Sequence, residues 1–230
     1  MNKVKLLLLG DSQNTTDFLY RFNRAAVARA FAKGTLAPPG TAEYTRECSI
    51  SSNSSPSLST GKIQVTTRTK QLTETSNLQC FENHTPPSGI ILLYDVTSPL
   101  SFEGVEKALL GLTLREELED EDGSEEMRLC VVGDTGIGGF DSAVRVVTPE
   151  EGRTLAGRFG ASFAEVSTES ERDVDRVVFG VVRACLALTG DGMSGSGSGE
   201  IKEGSWSGSG RGQGDWGRSL SGKISRIFRK

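Results

Sequence analysis

Apolar residues in this chain gather in short continuous runs, separated by stretches with helical spacing. Val4–Leu9 (VKLLLL), Gly89–Val96 (GIILLYDV) and Arg128–Val132 (RLCVV) are apolar at nearly every position. Each is too short for a helix, so they predict strands buried on both faces. Ser162–Val166 is a shorter strand, Lys62–Thr67 alternates weakly, and Thr45–Ile50 suits an edge strand. Phe18–Lys33 carries Phe18, Phe22, Ala26 and Ala30 at helical spacing, with Arg21, Arg24 and Arg29 between them and Gly34 at the end. Ser101 can cap a second helix over Phe102–Leu118, with Phe102, Val105, Leu109 and Leu112 on one face. Thr148 caps a third helix running to Phe159, and Glu151 completes a capping box. Asp173–Leu188 is a fourth helix, with Val174, Val177, Val178, Val181 and Leu186 inward. Strands alternating with helices predict an α/β fold: a mostly parallel, doubly wound sheet with helices on both faces. Such sheets bind ligands at the carboxyl ends of their strands, so the loops after those runs are where chemistry is sought.

Composition changes this picture mainly at one end. Twelve of the 28 glycines fall in residues 190–222, where 20 of 33 residues are Gly or Ser. That composition cannot bury enough apolar surface to offset its ordering entropy and predicts a disordered tail. The chain therefore divides into a folded domain (1–189), a Gly/Ser-rich linker (190–217) and a basic C-terminal segment (218–230). The formal net charge of −4 divides into a tail of +3 and a body of −7, which disfavours nucleic-acid binding by the body. No run of 18 apolar residues exists, and Asp11 follows the first run without a small-residue cleavage site. A cytoplasmic, non-secreted protein is expected. Cys48, Cys80, Cys130 and Cys185 lie far apart and His84 is the single histidine, so no metal site is expected. The eight carboxylates of Glu116–Glu126 lack calcium-loop spacing and read as a solvated loop.

The loops carry a family resemblance. Gly10-Asp11-Ser12-Gln13-Asn14-Thr15-Thr16-Asp17 follows the first strand and resembles the phosphate loop of Ras-superfamily small GTPases, the Rab branch especially. GIILLYDVTSPLSFEGV resembles the fourth strand, loop and helix start of Rab proteins. RVVTPEEGRTLAGRFGASFAEVSTES resembles the segment leading into their last guanine-contacting loop. The resemblance implies the small-GTPase fold, and it allows each functional position to be checked. A working phosphate loop needs GxxxxGK[ST], but here Thr15 replaces the second glycine, Thr16 the lysine and Asp17 the Mg²⁺-binding hydroxyl. Aligning KIQV with the third strand puts Thr67 and Lys70 at the Asp and Gly of DxxG, with Gln71 at the water-positioning glutamine. The guanine-reading NKxD becomes Asp134-Thr135-Gly136-Ile137, so the base carboxylate is Ile137. The last loop keeps only its serine in Ser167-Thr168-Glu169. Gly133–Gly139 itself looks like a phosphate loop, but Gly139 stands where the lysine should be, and a glycine-turn loop is the simpler reading.

These losses point to a pseudo-GTPase that acts as a protein-interaction or scaffold subunit, with trafficking or signalling implied by the resemblance alone. No cofactor is expected. The alternative is an atypical GTPase that binds GTP or GDP with Mg²⁺ and uses Gln71 as its catalytic residue. The C-terminus offers a third reading. Leu220, Ile224, Ile227 and Phe228 form one apolar helical face, interleaved with Lys223, Arg226, Arg229 and Lys230. Such a segment docks on a protein partner or an anionic membrane surface. The chain ends FRK and its last cysteine is Cys185, so prenylation is not expected.

Overall fold

The computed structural model describes residues 2–33, 43–50, 61–72, 87–118, 127–136 and 145–188. The start of the acidic stretch, Glu116 and Glu117, belongs to a helix and not to the expected loop. The rest of that stretch (119–126), the expected linker, the C-terminal segment, residues 51–60, Cys80, His84, Gly139 and Ile137 lie outside these residues. Six strands form one sheet: β1 (Asn2–Gly10), β2 (Glu43–Ile50), β3 (Gly61–Gln71), β4 (Gly89–Asp95), β5 (Arg128–Asp134) and β6 (Ser162–Val166). Their spatial order is β2-β3-β1-β4-β5-β6, and only β2 runs antiparallel to its neighbour. Five helices complete the described fold: α1 (Ser12–Phe22), α2 (Arg24–Ala32), α3 (Pro99–Leu118), α4 (Pro149–Arg158) and α5 (Glu171–Leu188). This is the expected doubly wound α/β architecture.

Strand periodicity sorts the core into two layers. Leu6 and Leu8 of β1, Ile91 and Leu93 of β4, and Cys130 and Val132 of β5 pack with Phe18, Leu19 and Phe22 of α1 and the valines of α5. The intervening Leu7, Leu9, Ile90, Leu92 and Val131 face the other way, onto Val105 and Leu109 of α3 and Leu155 of α4. A run with no polar residues is thus required of any central strand covered on both sides. Each such side chain contributes about 1.5–3 kcal/mol when buried. Across the second layer, α4 approaches the sheet over Gly152, where a Cβ would collide with the Tyr94 hydroxyl.

Three elements depart from the sequence expectation. The helix expected over Phe18–Lys33 starts earlier and breaks at Asn23, whose φ of −103° and ψ of 24° leave the helical region. The Asn23 side chain turns inward instead, where Nδ2 donates to Leu19 O (3.0 Å) and to Thr67 Oγ1 on β3 (2.7 Å). Strand β3 continues four residues beyond its expected end. The buried position there is Thr69, which continues the inward row of Ile63, Val65 and Thr67, and β-branched threonine suits a strand while hiding the apolar pattern. Helix α3 begins at Pro99, not after Ser101. The Ser98 hydroxyl accepts the Ser101 N–H (3.3 Å), and proline occupies the first helical position, where its missing N–H costs nothing. The capping box of α4 forms as expected, with Thr148 Oγ1 accepting from Glu151 N and Glu151 Oε2 accepting from Thr148 N.

Beyond its ladder with β3, the edge strand β2 is tied to two helices by one side chain. Arg46 makes a two-point ion pair with Asp175 of α5 (2.7 and 3.2 Å) and donates to Phe22 O at the end of α1 (2.7 Å). Its guanidinium also lies over the Phe22 ring, 4.7 Å from the centroid. A planar cation suits all three contacts at once, and it meets α1 at the helix's negative end.

Candidate site at the carboxyl edge of the sheet

The carboxyl ends of β1, β3, β4, β5 and β6 gather at one edge. Gly10 closes β1, paired with Gln71 at the end of β3, and its carbonyl accepts Leu72 N–H (2.9 Å). No side chain fits at Gly10, because a Cβ would stand 2.7 Å from Leu93 O. Asp11 alone separates strand from helix. Its extended backbone (φ −68°, ψ 162°) aims the carboxylate back at the helix start, where Oδ1 accepts Gln13 N–H (3.0 Å) and Asn14 N–H (2.9 Å). The Asp11 carbonyl accepts Thr15 N–H (3.2 Å) and the Thr15 hydroxyl (2.6 Å).

Ser12 to Asp17, expected as a loop by resemblance, are therefore the first turns of α1. The cause is local: an aspartate cap satisfies the first N–H groups, so helix begins one residue after the strand. Thr15 and Thr16 are buried in that helix, while Asp17 is exposed and accepts from Gln13 Nε2 (2.8 Å). The side-chain Nδ2 of Asn14 is buried without a hydrogen-bond partner.

The structure also moves the expected DxxG positions. Thr67 pairs with Leu6 in the middle of the sheet and holds Asn23, so it is remote from the edge. Lys70 lies within β3, and only Gln71, exposed, reaches the edge opposite Gly10.

At the far end of the edge, Asp134 closes β5 and its carboxylate is buried. Oδ1 accepts Gly136 N–H (3.0 Å) and Thr168 N–H (3.1 Å), and Oδ2 accepts the Thr168 hydroxyl (2.8 Å). Thr135 donates its N–H and hydroxyl to Val166 O (2.8 and 3.1 Å), and the Ser167 hydroxyl donates to Gly136 O (3.0 Å). Asp134, Thr135 and Ser167, expected together from sequence, thus meet in one junction. Two further members were not expected there. Thr168 is its hub, and Arg21 of α1 donates Nε to Thr168 O (3.1 Å). Arg21 shared a helix face with other arginines and carried no sequence signal for this contact.

Burial pushes the Asp134 carboxyl above the usual carboxylate range. The donors from Gly136 and Thr168 oppose that shift, and Asp95 on the adjacent strand adds to it. Asp95 pairs with Asp134 across the sheet, and its carboxylate accepts Thr97 N–H and the Thr97 hydroxyl, both at 2.7 Å. Among the described residues, no group of three or more His, Cys, Asp or Glu could hold a metal ion. No helix among them is long and apolar enough to cross a membrane.

A doubly wound sheet of this order, with its loops gathered at one edge, is the framework of the small-GTPase class. The Ras family's sequence profile matches residues 62–187, more than half of the chain, and the chain belongs to the Ras family. It is 32% identical over 91 residues to the Ras-related protein SEC4 of Candida albicans, covering 40% of this chain and 39% of that one. It is 33% identical over 104 residues to the Ras-related protein Rab-10 of Caenorhabditis elegans, covering 45% and 46%. It is 31% identical over 111 residues to the Ras-like protein rasU of Dictyostelium discoideum, covering 47% of each. The chain spans less than half the length of each of these relatives.

Proposed function

We propose that the chain is a Ras-family pseudo-GTPase, a protein-interaction or scaffold subunit that works without nucleotide turnover. The observation that carries this reading is the Asp11 cap. A phosphate-binding helix start must offer free N–H groups to an anion, yet here the chain's own carboxylate accepts those of Gln13 and Asn14. A phosphate brought to the same place would meet a like charge and find Thr16, buried, where the family's lysine belongs. At the base end, Asp134 spends its acceptors on Gly136 and Thr168, leaving no carboxylate aimed outward from that position. GTP or GDP with Mg²⁺ does not fit these residues.

The test is direct. Purified full-length protein is denatured, and the supernatant is chromatographed for released nucleotide. We expect none. Stoichiometric GDP or GTP would overturn the reading and favour an atypical GTPase, for which Gln71 at the edge opposite Gly10 is the remaining candidate to orient water.

A role in trafficking rests on the similarity to SEC4 and Rab-10 and is part of the same proposal. Peripheral membrane contact rests on the sequence of residues 218–230. Flotation with anionic liposomes should be stronger for the full chain than for a chain ending at Gly217, and equal flotation rejects that contact.

A further inference from the structure

We draw no further inference here: the strongest candidate, the surface patch where α3 and α4 begin, with Leu100 78% and Val146 56% exposed, carries nothing because nothing in the structure shows what covers it.

Discussion

Asp11, just past β1, and Asp134, the last residue of β5, stand at the same sheet edge, and they bond there by different physics. Asp11 acts locally: its carboxylate reaches two and three residues ahead and needs no other element to do so. Asp134 acts at long range: through Thr168 it joins β5 to the connection between β6 and α5, and Arg21 adds α1 to the same junction. A local cap contributes little beyond its own helix turn. A buried carboxylate shared by three donors becomes part of the packing of three elements. The edge is therefore bonded at two places, a light closure at Asp11 and a firm one at Asp134.

The firm closure should break with the largest effect. Asp134→Ala removes three hydrogen bonds and strands the two buried donors of Thr168, so a loss of about 3 kcal/mol is expected in urea unfolding. Combining it with Thr168→Ala should cost less than the two single losses added, by about 1–2 kcal/mol, because both changes open one junction. Asp134→Ala with Asp11→Ala should instead add within about 0.5 kcal/mol, since the two carboxylates share no partner. Coupling between Asp11 and Asp134 as strong as that between Asp134 and Thr168 would show a single linked edge and undo the distinction.

The light closure should yield a smaller, more local change. Asp11→Ala removes an N-cap and should cost about 1 kcal/mol. Amide exchange should quicken at Gln13 and Asn14, whose N–H groups lose their acceptor, and stay unchanged at Gly136 and Thr168. Faster exchange at the far pair would mean that the cap supports the whole edge.

The same contrast explains what could be read in the chain. The apolar runs Gly89–Val96 and Arg128–Val132 were legible because the centre of a strand covered on both faces must be apolar. The Thr148 cap was legible because a capping box is contained in four residues. Asp11 was legible in principle, as a strong N-cap residue one position before the helix. Resemblance to a phosphate loop argued for coil there, and the local cap prevailed. The break at Asn23 was not legible, because it depends on Thr67, 44 residues away and paired through the sheet. Arg21 and Thr168 are separated by 147 residues, and an arginine donating to a backbone carbonyl leaves no pattern in a sequence. Local chemistry could be read from neighbours, whereas the junction needed the topology.

The smallest effect is the sharpest in sign. Burial holds the Asp134 carboxyl above its ordinary range, against the Gly136 and Thr168 donors and with the help of Asp95. Between an ordinary value of about 3.9 and the raised one, the folded state binds more protons than the unfolded state. Stability from this group therefore falls as pH rises through that window and is fully present below it. Glu151 behaves oppositely, because the Thr148 N–H and hydroxyl lower its carboxyl, so its contribution is present above the ordinary range and lost on acidification. Unfolding should be followed from pH 7 toward pH 4 for the wild type, Asp134→Asn and Glu151→Gln. The stability of the wild type relative to Asp134→Asn should grow as pH falls, and relative to Glu151→Gln it should shrink. If both differences move the same way, Asp134 is not the desolvated junction that its three donors describe, and the two ends of the edge differ only in distance along the chain.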